Sequence, residues 1–170
     1  SQNYFTELIS MRNNIIFIFG GSGFIGSQIR KILEKSNDIY IFDKKNPTTQ
    51  QEEFCFIKCD VRKLININCT NVKPDIIINL AAVHREPGHK PNEYFDTNIL
   101  GAENITEFAE KVKCNRIIFT SSISPYGIED KLKDENTTPC PNTPYGSSKL
   151  AAEKIHIAWQ NRDIKSRVLT

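Results

Sequence analysis

Tyr145 and Lys149 stand four residues apart in the run Tyr145-Gly-Ser-Ser-Lys149, a spacing that puts both side chains on one face of a helix. An ammonium beside a phenol stabilises the phenolate, which equips Tyr145 to exchange a proton with a substrate hydroxyl. Ser122 follows the β-rich run Arg116–Thr120, where its hydroxyl can hydrogen-bond and position the same oxygen. A tyrosine-lysine spacing in isolation more often marks an exposed surface pair. It gains meaning only from where it falls relative to other motifs.

A second piece of chemistry lies near the start of the chain. Gly20-Gly21-Ser22-Gly23-Phe24-Ile25-Gly26 spaces glycines as G-x-x-G-x-x-G between an apolar run, Ile15–Phe19, and a segment with helical apolar spacing at Ile25, Ile29, Ile32 and Leu33. Gly20 can take a tight-turn conformation barred to residues with a Cβ. Gly23 lets the backbone N–H groups at the helix start, those of Phe24 and Ile25, approach a pyrophosphate, and Gly26 lets the helix pack closely on the strand. The unpaired donors and partial positive charge of a helix N-terminus favour the anion. Asp43 ends the next β-rich run, Ile39–Phe42, where a carboxylate can accept from both ribose hydroxyls and repel a 2′-phosphate. NAD is therefore expected over NADP, although Lys44 and Lys45 soften that repulsion. Read alone, Asp43 is equally a turn residue after a strand.

The elements that must position these groups alternate between strand and helix. Phe54–Ile57 is a third short strand, and the continuous apolar run Asp75–Leu80 has the pattern of a strand buried on both faces. A crossover helix is expected over residues 61–73, against the alternating Ile65-Asn66-Ile67-Asn68 and a content of three Asn. Pro91 to Lys113 reads as one long helix with an apolar stripe of Phe95, Ile99, Ala102, Ile105, Phe108, Ala109 and Val112. Ser121–Thr143 carries four prolines and glycines and reads as a long functional loop, followed by a helix over about Pro144–Asn161 and a last strand, Ser166–Leu169. Right-handed crossovers then require an α/β architecture: a doubly wound parallel sheet of the Rossmann type with strand order 3-2-1-4-5-6. Residues 1–14 read as an N-terminal extension and 15–170 as one cofactor-binding domain.

Composition narrows the class of function. A net charge of +2 from 22 basic and 20 acidic residues, with the two signs interspersed, leaves no nucleic-acid footprint. No apolar run reaches bilayer length and no secretory signal opens the chain, so a cytoplasmic location without membrane attachment is expected. Five cysteines with no CxxC pair and no paired histidines at zinc spacing predict reduced, mostly packed thiols and no metal site.

Several further motifs fall in register with these. Asp60-Val61 follows the third strand, Asn79-Leu-Ala-Ala82 ends the fourth, Asn98-x-x-Gly101 lies inside the long helix, and Thr120-Ser-Ser122 precedes Tyr126-Gly127. Over nearly all of residues 14–170 the chain resembles the extended short-chain dehydrogenase/reductases, specifically the nucleotide-sugar epimerases and dehydratases. The resemblance implies that Asp60 and Val61 hold the adenine edge and that Leu80, Ala81 and Ala82 line an NAD site to which Asn98 also belongs. It implies that Ser122, Tyr145 and Lys149 form the active site, with Lys149 also binding the nicotinamide ribose. Taken singly, Asp60 reads equally as a helix cap, Asn98 as a helix-interior polar residue and Tyr126 as packing. Similar dehydratases carry acids directly after the position of Ser122, where this chain has Ile123, Ser124 and Pro125. An epimerase or a reductase acting on a nucleotide sugar is therefore expected over a dehydratase, with a non-catalytic dinucleotide sensor as the rival. His84 or Arg85, in the loop after the fourth strand, is either a substrate contact or part of a solvated charged loop. The resemblance further implies a substrate lobe beyond Thr170, weak activity without it, and a possible homodimer through the two long helices.

Overall fold

The computed structural model describes residues 10–47, 54–66, 68–85, 87–128 and 132–170. Six parallel strands form one sheet: β1 (Ile15–Phe19), β2 (Asp38–Asp43), β3 (Phe54–Lys58), β4 (Ile76–Asn79), β5 (Arg116–Phe119) and β6 (Val168–Leu169). They are ordered β3-β2-β1-β4-β5-β6, the order the alternating pattern requires. Four helices connect them: α1 (Phe24–Leu33), α2 (Pro91–Tyr94), α3 (Leu100–Lys111) and α4 (Pro144–Asn161).

Side-chain alternation along the central strands separates two cores. Phe17 and Phe19 of β1 point to one face, where they meet Phe42, Ile77, Phe108 and Trp159. Ile16 and Ile18 point to the other, with Ile39, Ile41, Ile76, Ile78 and Leu33. All four residues of β4 are buried, as a strand covered by helices on both faces must be. Met11 is buried in the second of these cores, so the polar N-terminal stretch is stitched to the domain at its inner end. Asn37 Nδ2 donates to Met11 O at 3.1 Å, and Asn13 N to Ser36 O at 2.6 Å. Residues 1–9 lie outside the described residues.

The expected crossover helix over 61–73 is absent among the described residues of that segment, which form turns. Side chains there bond to nearby backbone and offer it an alternative to a helix. Asp60 accepts from Arg62 N at 3.1 Å, Asn66 from Asn68 N at 2.9 Å, and Thr70 Oγ1 donates to Val72 O at 2.8 Å. Val61 and Ile65 anchor the segment in the core from turn conformations, although their spacing of four would also suit a helix. The long helix from Pro91 is also not uniform. Phe95–Ile99 is a π-helical segment between α2 and α3, closed by Leu100 N–H donating to Phe95 O. Tyr94 and Asn98 take the inward positions, and Phe95, expected in the apolar stripe, is exposed. The thiols divide as well: Cys114 is buried and Cys59 and Cys69 are half-buried, but Cys55 and Cys140 are exposed, against the expectation of mostly packed cysteines.

Candidate active site

β1 ends directly at the glycine turn, and the backbone there leaves no choice of residue at two positions. Gly20 has φ +79°, and a Cβ on it would lie 2.7 Å from Ala81 N. On Gly26 a Cβ would lie 2.6 Å from the backbone of Gly21, so the turn folds back onto α1 at a distance only glycine permits. Gly23 is the N-cap of α1 and supplies no side-chain cap, leaving the first N–H groups of the helix open. Ser22 Oγ in the same turn is buried and makes no hydrogen bond.

These residues form the floor of a cleft of about 360 Å³ at the carboxyl edge of the sheet. Gly20, Gly23, Phe24, Ile25, Gly26, Asp43, Asp60, Val61, Leu80, Ala81 and Ala82 all line it. So does His84, from the charged loop. Thr97, Val83 and Cys59 line it too and were not singled out from sequence. Thr97 and Val83 directly adjoin motif residues, Asn98 and Ala82, but nothing in their residue types marks them.

Two acids sit on the β2–β3 side of the cleft. Asp43 accepts from Ser22 N at 3.1 Å and from Lys45 N at 3.0 Å. A carboxylate offers about four acceptor positions, so capacity remains towards the cleft. Asp60 is gripped by Arg62, whose Nε lies 2.9 Å from Oδ1 and Nη2 2.5 Å from Oδ2. Those guanidinium hydrogen bonds hold its carboxyl down to about 2.

Asn98, Ser122, Tyr145 and Lys149 do not line this cleft among its described residues. Asn98 is buried, and its amide is engaged within the protein. Oδ1 accepts from Val83 N at 2.9 Å, while Nδ2 donates to Val83 O at 3.2 Å and to Ser148 Oγ at 2.8 Å. It thus brackets the cleft wall to α4. Ser122 follows the end of β5, and Tyr145 and Lys149 lie in the first turns of α4. Thr143 caps α4, its Oγ1 accepting from Gly146 N at 3.0 Å, and Pro144 at the first turn suits a helix start. Gly146 lets that first turn approach the Ser122 loop, because a Cβ there would lie 2.6 Å from Ser124 O. Ser122 Oγ accepts from Ser124 N at 3.2 Å.

Lys149 is almost fully buried. Its Nζ donates to Thr120 O at 2.6 Å and lies 4.2 Å from the centre of the Phe119 ring. Burial lowers the ammonium to about 8, opposed by the carboxylate of Glu153 one turn further along α4. Glu153 in turn accepts from Ser121 Oγ. The arrangement leaves Lys149 charged near neutrality but readily deprotonated above it.

The description "NAD dependent epimerase/dehydratase family" belongs to the family model that matches residues 16–170. An undecaprenyl-diphosphate-linked N-acetylglucosamine 4-epimerase of Escherichia coli O157:H7 is 34% identical over 163 residues, 94% of this chain and 47% of that protein. A UDP-glucose 4-epimerase of Lactobacillus helveticus is 28% identical over 86% of this chain and 47% of its own length. Among solved structures, MoeE5 in complex with UDP-glucose and NAD superposes with a TM-score of 0.77 at 27% identity, covering 91% of this chain and 52% of that one. The chain spans about half the length of the curated relatives it matches. With the family model covering all but the first residues, the chain belongs to the NAD-dependent epimerase/dehydratase family.

Proposed function

We propose that this chain is the cofactor-binding part of a nucleotide-sugar epimerase that works with NAD. The observation that carries the reading is the glycine-floored cleft at the β1/β4 switch point, lined by Asp43, Asp60 and Leu80–Ala82; the catalytic role of Ser122, Tyr145 and Lys149 beside it is part of the proposal. The cleft suits a dinucleotide. Open N–H groups at α1 can meet the diphosphate, and Asp43 keeps acceptor capacity for ribose hydroxyls. Asp60 and Val61 stand on the adenine side, and Leu80, Ala81 and Ala82 run towards the nicotinamide side. Asn98 belongs to the site through Val83 and Ser148.

NAD, when bound, takes up a hydride from the sugar and returns it. The chain's own residues manage the proton. Tyr145 would take it from the sugar hydroxyl, Ser122 would orient that oxygen, and the Lys149 ammonium would stabilise the phenolate. No acid follows Ser122 at Ile123, Ser124 or Pro125, which favours epimerisation or reduction over loss of water. The 4-epimerases among the relatives favour epimerisation at C4, and the UDP-glucose 4-epimerase among them favours a UDP-linked sugar.

The test uses the full-length protein and a panel of UDP-sugars, with products resolved by chromatography. Wild type is expected to interconvert C4 epimers, and Tyr145→Phe to bind NAD while losing at least 100-fold in turnover. Undiminished turnover in Tyr145→Phe overturns the assignment of the phenol. NAD binding with no conversion of any sugar favours a dinucleotide sensor.

A further inference from the structure

A buried polar chain links the helix that carries Tyr145 and Lys149 to the glycine turn, and it passes through a residue with no place in the chemistry above. His156 lies on α4 two turns beyond Lys149 and is completely buried. Its Nδ1 lies 2.7 Å from Ala152 O, and a carbonyl only accepts, so Nδ1 carries the proton. Burial lowers the imidazole to about 4, leaving Nε2 bare at neutral pH. A bare Nε2 demands a donor. Asn79 Nδ2 lies 3.3 Å away.

That requirement settles which way the Asn79 amide faces. With Nδ2 turned to the imidazole, Oδ1 accepts from Ala81 N at 3.1 Å. The Leu80–Ala81 peptide held this way is the surface against which Gly20 packs, since a Cβ on Gly20 would lie 2.7 Å from Ala81 N and 2.8 Å from Leu80 C. The imidazole also stacks on Phe119 at 4.2 Å and 18°, and the Lys149 ammonium lies over the same ring. Lys149 is the charged group that faces His156 electrostatically, and it too opposes an imidazolium.

We infer that His156 is a positioning residue of the cofactor site: its uncharged imidazole orients Asn79, Asn79 holds the Leu80–Ala81 peptide, and the Gly20 turn seats against that peptide. The inference rests on the reading of the cleft as an NAD site, but its first test does not. In the ligand-free full-length protein, nitrogen-15 NMR should find His156 protonated on Nδ1 and bare at Nε2 from pH 6 to 8, whatever the cleft binds. A proton on Nε2 overturns the inference.

The second test is NAD binding by calorimetry. His156→Leu leaves the Asn79 Nδ2 donor without its partner and should weaken NAD binding about ten-fold. His156→Gln, whose side-chain oxygen reaches the place of Nε2, should stay within about two-fold of wild type. Loss of stability in His156→Leu with NAD affinity unchanged would assign the imidazole to packing only and overturn the inference. Should His156→Leu not fold, Asn79→Asp decides: a carboxylate opposite Nε2 should raise the proton affinity of His156 well above that in wild type, and an unmoved titration overturns the link. A wild type that binds no NAD would sink the functional reading, with the tautomer and the Asn79→Asp titration still judging the His156–Asn79 link.

Discussion

Lys149 pays for its position with burial, and the sign of that cost is testable. Its folded proton affinity lies below the ordinary lysine range, so from about pH 8 upward the unfolded chain binds more protons and stability rises with pH. Below that window the protein carries the full cost of a buried ammonium, reduced by the Thr120 carbonyl and the Phe119 ring. Lys149→Met should therefore be inactive yet more stable than wild type by about 1–2 kcal/mol at pH 7. The gap should narrow as the pH rises towards 10. Urea melts at pH 7 and 9.5 check this, and a variant less stable than wild type at pH 7 would mean the local contacts outweigh desolvation. Asp60 has the opposite sign. Arg62 holds its carboxyl down to about 2, so its contribution is present above the usual carboxylate range and disappears as the pH falls through about 2.

At the scale of elements, the proposed chemistry depends on the approach of α4 to the Ser122 loop. Gly146 permits it, and Gly146→Ala would place a methyl 2.6 Å from Ser124 O. Backbone must yield, shifting the start of α4, which carries Tyr145, relative to the loop that carries Ser122. Turnover in the full-length protein should fall about 10- to 100-fold while NAD affinity, set at the far side of the sheet's switch point, holds within about two-fold. Equal losses in both would mean the helix has shifted as a whole. The π-helical segment bears on the same geometry, because it delivers Asn98 to Val83 and Ser148 together. Removing that amide in Asn98→Ala strands the half-buried Val83 N–H and should cost about 1–2 kcal/mol in a denaturant melt. Ser148→Ala, which removes one of its three bonds, should cost less than half as much. A smaller effect for Asn98→Ala than for Ser148→Ala would refute the bracket.

Over the whole molecule, the sheet's short last strand is held by charges as well as by the packing of Leu169 on the core. β6 is two residues long, and Val168 is exposed. Glu110 of α3 accepts from Arg162, just past α4, at 2.8 Å and from Arg167, just before β6, at 3.0 Å. Arg167 also lies over the Trp159 ring, 5.0 Å from its centre. Burial of Glu110 is outweighed by the two guanidiniums, which hold its carboxyl below the usual range. Glu110→Gln should lower stability by about 1 kcal/mol at low ionic strength, and most of that loss should vanish in 1 M salt as the pairs are screened. A loss that is independent of salt would point to packing of the side chain instead. Among the described residues no helix is long and apolar enough to cross a membrane.

Local chemistry made much of this legible before any coordinates. The glycine turn, β1 and β4 follow from residue types and periodicity over a few positions, because a buried parallel strand and a phosphate turn each leave little freedom to neighbouring residues. The strand order followed from the alternation of strands and helices together with the handedness of crossovers. Where long-range partners compete with local preference, the sequence was silent or misleading. The described residues of 61–73 form turns because Asp60, Asn66 and Thr70 bond to nearby backbone while Val61 and Ile65 reach the core. The inward turn of Tyr94, the outward turn of Phe95, and the use of Asn98 depend on a π-helical step whose partners lie in the loop after β4 and on α4. The burial of Lys149, and the tautomer of His156 that orients Asn79, arise only when helix and sheet close over them. Proton affinity and amide direction are properties of an environment, and that environment is assembled from residues as far apart in the chain as Asn79 and His156.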